Sequence, residues 1–227
     1  MSLVRLLRWE LKFQLRYGFY FLYAVLTLFY IVLMSAFPAS WRENTAALLI
    51  FTDPAAMGLF FMGALVLLEK SQRVLNALAV SPQRPEEYLL SKLTAFLLIS
   101  LLVALALNLA SGAGHTGQTL LGTGLASLVF SLLGLLIAVN AESLNRFLIL
   151  TVPIEIVCFT PAVLYLFDAC PGALEYFPVC ACMALVAGRA QSPLLAVAVL
   201  LPVIALLYYF SLRAVRKMWK SVGGIKL

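Results

Sequence analysis

Six apolar runs, each about as long as a bilayer is thick, dominate this chain and leave it little choice of fold. They cover residues 19–37, 47–68, 93–111, 119–139, 147–167 and 194–212. A spanning helix needs about 20 mostly apolar residues, because lipid offers no partner to an unsatisfied backbone N–H or carbonyl. A water-soluble globule would need far more polar surface than this composition supplies: 63% of the chain is hydrophobic and 11% charged, against about 25% charged in soluble domains. The expected fold class is therefore all-α, a polytopic membrane protein with six transmembrane helices in one domain, residues 1–227. The first run follows basic residues but is long enough to span, and no small-residue cleavage motif follows it. It reads as a retained span.

Charge orients the bundle. With both termini in the cytosol, of the 16 Lys and Arg only Arg42 and Arg189 fall on the outer side. That is the bias expected of cytosolic segments and of an even number of spans. Trp9, Trp41 and Trp219 all sit beside expected membrane edges, where amphipathic rings prefer to lie. The net charge of +6 is thus a topology signal and no sign of nucleic-acid binding. The expected location is the cell membrane, with the lipid bilayer as the first partner.

Three segments between the spans carry patterns of their own. In residues 1–18, Arg5, Arg8, Lys12 and Arg16 recur every three or four positions, one basic stripe on a helix, while Leu3, Leu6, Leu7, Leu11, Phe13 and Leu15 cover much of the rest. Such a helix would lie in the cytosolic interface, its charges toward headgroups or toward a partner. Residues 168–193 hold an apolar run, 176–186, too short to cross; it reads as an outer re-entrant hairpin before the last span. Residues 213–227 form a basic cytosolic tail.

The third segment, residues 69–92, is the polar island between the second and third spans. Within it, residues 71–80 read as a short amphipathic helix with Val74, Leu75, Leu78 and Ala79 on one side and Gln72, Arg73 and Asn76 polar. Ser81-Pro82 ends it, because the residue before proline is pushed out of the helical region. Pro85-Glu86-Glu87 starts the next helix, with proline in the first turn and two acids at the positive end of the dipole. A short helix held between two rigid spans can act as a lever; it can equally be a connector lying on the membrane surface.

The island resembles the loop of ABC-transporter permeases of the type-2 export superfamily, and more closely the fluoroquinolone or multidrug export subunits. The resemblance rests on Glu69-Lys70, the short helix ending Val80-Ser81-Pro82, and Pro85-Glu86-Glu87-Tyr88-Leu89-Leu90-Ser91-Lys92. Leu6-Leu7-Arg8-Trp9-Glu10-Leu11, Arg16-Tyr17-Gly18-Phe19-Tyr20 and Leu49-Ile50-Phe51-Thr52-Asp53-Pro54 extend it along the chain. It implies that Glu69, Lys70, Arg73, Val74, Leu75, Asn76, Leu78, Ser81 and Pro82 form a coupling helix that docks into a cytosolic ABC ATPase dimer. It also implies that Arg5 to Arg16 form the connecting helix, and that a second permease, identical or a sister chain, completes the pathway. ATP and Mg would bind the partner ATPase, for this chain has no Gly-x-x-x-x-Gly-Lys-Ser/Thr phosphate loop.

Little else in the sequence carries chemistry. No catalytic set and no His–Cys metal spacing are present, and His115, the one histidine, reads as a solvated outer-loop residue. Glu155 reads as the sole charge deep in a span, between Pro153 and Pro161: a contact for a cationic substrate, a proton site, or a neutral hydrogen-bonded acid at an interface. Cys170, Cys180 and Cys182 face the outer, oxidising side, where a disulfide from Cys170 to either of the others would staple the hairpin; free buried thiols are the other reading. The expected function is export of an amphiphilic drug, peptide or lipid-like substrate. The alternatives are a proton-coupled secondary transporter using Glu155 and a non-transporting scaffold or immunity subunit.

Overall fold

The computed structural model describes residues 3–72, 74, 83–170 and 177–222. Among these the secondary structure is entirely helical. The helices are α1 (Leu3–Arg16), α2 (Phe19–Ser35), α3 (Ala39–Ile50), α4 (Met57–Ser71), α5 (Pro85–Ser111), α6 (Thr116–Asn140), α7 (Leu144–Leu166), α8 (Pro178–Val186) and α9 (Pro193–Val222). A π-helical turn, Phe51–Ala55, joins α3 to α4. Five helical stretches are long and apolar enough to span: Ala39–Ser71, Pro85–Ser111, Thr116–Asn140, Leu144–Leu166 and Pro193–Lys220. The pair α1–α2 makes a sixth if taken together, bent by 61°. Gly18 supplies the bend with φ of 77°, a left-handed conformation that costs glycine little. The 17 residues of α2 reach about 25 Å, close to the hydrocarbon thickness.

Several boundaries lie beyond the apolar runs. The second spanning helix begins at Ala39, well before the apolar run that starts at residue 47. The third begins at Pro85, in the turn where its start signals placed it. The last runs on to Val222, so most of the expected basic tail is helix. Helices project past the membrane edge at no cost in lipid contact, so hydropathy marks the crossing and not the helix.

The core is built on α6, which packs against α4, α5, α8 and α9. Small residues let the backbones approach: a Cβ on Gly134 would come within 2.3 Å of the Leu59 carbonyl oxygen, and one on Gly58 within 2.0 Å of Ser131 Oγ. Close backbone approach is the usual route to helix association where lipid removes the hydrophobic drive. At the π turn Pro54 has no N–H to give, and its carbonyl accepts 2.6 Å from Ser100 Oγ, which lies 3.1 Å from Ser127 Oγ.

The segment before the last span holds α8, whose nine residues cover about 13 Å, less than half a bilayer. It is buried against α6, α7 and α9. The first arm of the expected hairpin includes 171–176, outside the described residues. No disulfide joins any of the four cysteines. The Cys170 staple is not formed, because Cys180 and Cys182 are turned into the helical core. Burial pushes the Cys182 thiol up, away from thiolate. His115 is half-buried and lies against Gly188, where a Cβ would meet its ring at 2.2 Å. It is packed, where a solvated loop residue was expected.

Candidate functional site

Lys92 is the centre of the most heavily charged place in the interior. It enters α5 two turns after Pro85 and is 0% exposed. Its ammonium lies 2.8 Å from Glu10 Oε1 on α1 and 2.6 Å from Glu69 Oε1 on α4. Tyr88, one turn earlier on α5, donates to Glu69 Oε2 at 2.5 Å. The ammonium also sits 4.9 Å from the centroid of the Tyr88 ring. Three helices distant in sequence thus meet on one buried cation. A charge taken out of water is tolerated only when paired and hydrogen-bonded in this way.

Two further contacts extend this hub. Lys70, beside Glu69, donates to the carbonyls of Ala138, Val139 and Ala141 at 2.8, 2.8 and 3.2 Å, and so caps the C-terminus of α6. A cation at a helix C-terminus meets both the unpaired carbonyls and the negative end of the dipole. The Tyr88 ring packs edge-on to Trp219 of α9 at 5.6 Å, and Glu86 pairs with Arg216 one turn away. Because α1 and the end of α9 both reach this hub, the N-terminal and C-terminal helices lie at the same end of the bundle.

A cavity of about 330 Å³ opens between α1 and the roots of the 69–92 segment. Leu6, Trp9, Phe13 and Leu68 wall it, Glu10 and Glu69 border it, and exposed Val74 stands at its mouth. Of the residues expected to couple to a partner, Glu69 and Lys70 are therefore committed to internal bonds. Arg73, Leu75, Asn76, Leu78, Ser81 and Pro82 lie outside the described residues. Arg5, Arg8, Lys12 and Arg16 are all exposed along α1, as one stripe.

The sequence reading missed Lys92, Glu10 and Tyr88 as a unit. A signal was present. Glu10 is off the basic stripe and shares the three-to-four spacing of Leu6, Phe13 and Gln14, so an acid stands in the apolar face of α1. An acid there demands a cation from elsewhere.

Glu155 is half-buried on the outward side of α7, which runs unbroken through Pro153 and Pro161, and no bond to it is made among the described residues. It is not the only charge within a span. Asp53 occupies the π turn in the middle of Ala39–Ser71, where the Tyr23 hydroxyl reaches its Oδ1 at 3.4 Å. Among the described residues no three His, Cys, Asp or Glu converge on a possible metal position.

The family model for the fluoroquinolones export permease proteins matches residues 1–219. Fluoroquinolones export permease proteins from two strains of Mycobacterium tuberculosis, CDC 1551 / Oshkosh and H37Rv, are each 32% identical over 166 residues, 72% of this chain and 70% of theirs.

Proposed function

Since the chain belongs to the fluoroquinolones export permease family, we propose that it is the membrane-spanning subunit of an ATP-driven ABC exporter whose ATPase is a separate polypeptide. The observation that carries this reading is the hub. Residues 69–92 leave the bundle from Glu69 and return to it at Lys92, and these two residues are ion-paired to each other and to α1. A push on the segment would be delivered to α1 and α5 through Lys92 and to α6 through Lys70. A segment that merely connected two spans would need none of these bonds.

In this reading the 69–82 stretch is the coupling helix, with Glu69, Lys70 and Val74 at its described root. The stripe Arg5, Arg8, Lys12 and Arg16 faces headgroups or the ATPase. ATP and Mg are held by the partner dimer. A second permease completes a pathway lined by the second and fifth spans, consistent with the outward apolar residues of α7, among them Ile149, Val152, Ile156 and Val157. The substrate is an amphiphilic drug, peptide or lipid-like molecule, and both termini face the cytosol. Glu155, with no bonded neighbour among the described residues, gives a proton-coupled mechanism no chain of groups to use.

The test is a mild-detergent pull-down of the tagged chain from its native membrane, with mass spectrometry and an ATPase assay. Recovery of a phosphate-loop ATPase supports the exporter. Recovery of the chain alone, with proton-dependent flux in vesicles, overturns it. Recovery of partners without flux points to a scaffold.

A further inference from the structure

Asp53 is a carboxylate inside a membrane span without a cation. Glu10 and Glu69, by contrast, share Lys92. Asp53 forms no ion pair among the described residues; it has only phenols, Tyr23 at 3.4 Å and Tyr30 facing the same group. Its second oxygen, Oδ2, is buried with no hydrogen bond. An ionisable residue at this depth is costly and marks a site more often than a packing choice. The π turn is what places it: the extra residue at Phe51–Ala55 rotates Asp53 toward α2 while Pro54 faces α5.

Tyr23 has a second face. Its ring helps line a groove of about 450 Å³ between α2 and α5, together with Tyr20, Thr27, Ile99 and Leu102. That is the volume of a drug-sized ligand. The walls are almost wholly apolar, and exposed Ala24, Leu28 and Leu102 on the rim open the groove toward lipid. One side chain thus joins an apolar, aromatic slot to an under-bonded acid. The 3.4 Å contact is at the long limit of a hydrogen bond and easily exchanged for a better donor.

We propose that this groove is a lipid-accessible binding site for cationic amphiphiles: the apolar body lies between α2 and α5 against Tyr20 and Tyr23, and the cation is held by Asp53. Aromatic faces favour a cation as well as an apolar body, so both parts of the site select the same charge. The groove lies between α2 and α5, only its acid stands on the second span, and the site would collect substrate from the membrane. Its place in export rests on the transport reading; binding itself does not.

The test uses the full-length chain in lipid discs, with empty discs subtracted, and measures binding of tetraphenylphosphonium and of its anionic isostere tetraphenylborate by equilibrium dialysis. The expected result is saturable binding of the cation alone, weakened at least tenfold by Asp53→Asn. Ala24→Trp, which fills the groove from the lipid side without entering the core, is expected to abolish it. Equal binding of cation and anion, or full cation binding by both variants, overturns the proposal. Thermal melts of the variants guard against misfolding. If Asp53→Asn unfolds, Ala24→Trp and the choice between the two ions decide. Because no ATPase is present in this assay, its failure and the failure of the exporter reading are separate results.

Discussion

The two ends of the bundle are fastened in different ways. At the end holding both termini, buried charge closes the structure: Lys92 between Glu10 and Glu69, and Lys70 on the α6 carbonyls. At the other end the links are mostly neutral or wet. Asn108 bonds Thr116 at 2.8 Å, Thr119 reaches the Val186 carbonyl at 3.1 Å, and Arg189 clasps Asp168, the Leu166 carbonyl and Asn44 from the surface. Buried pairs are costly to break one partner at a time, whereas exposed pairs are worth little. The first end is therefore built to move as one piece, and the second can part cheaply. Under the proposed exporter reading, that is the asymmetry a machine pushed from one side and opening on the other requires.

Substitutions sharpen or break this contrast. Lys92→Met leaves Glu10 and Glu69 as part-buried acids without a cation, and should cost about 3–5 kcal/mol in thermal unfolding in detergent. A neutral melt would mean that the hub is not closed in the native membrane. Lys70→Met should cost less, about 1.5–3 kcal/mol, since it removes charged hydrogen bonds to carbonyls that water can partly replace; faster hydrogen exchange confined to the last turn of α6 would mark the site of the loss. Arg189→Ala should cost under about 1 kcal/mol, because the Asp168 side chain is 85% exposed. A loss as large as that from Lys92 would remove the contrast. Finally, maleimide should label Cys170 and leave Cys182 unmodified in the folded protein, because Cys182 is buried and its thiol is held protonated. Fast labelling of Cys182 would show that α8 is loosely held.

The spans were legible because hydropathy is a local signal about 20 residues long, and the helix start at Pro85 was legible because proline and two acids are punctuation within one turn. The hub was not. Glu10 and Lys92 are 82 positions apart, and no local period links them. Lys92 read as a charge on the expected cytosolic side and as the end of the resembling motif, and neither reading said what it pairs with. The π turn was hidden for a similar reason: Thr52-Asp53-Pro54 falls inside the 47–68 run, and only the packing against Ser100 shows how the helix passes through it. The start of α3 at Ala39 was lost because Arg42, Glu43 and Asn44 lower hydropathy without interrupting a helix that stands outside the lipid. The four cations of the α1 stripe are exposed together, as their three-to-four spacing on a helix places them.

The most direct test of the central claim is flux per ATP hydrolysed, in proteoliposomes holding the chain with its copurified ATPase, for wild type and for Glu10→Gln. This substitution removes the α1 charge from the hub and weakens that link while leaving Lys92 paired with Glu69, so the fold should persist. Hydrolysis is expected to continue while flux falls at least tenfold. An unchanged ratio of flux to hydrolysis would contradict it, and would mean that force from residues 69–92 does not pass through Lys92.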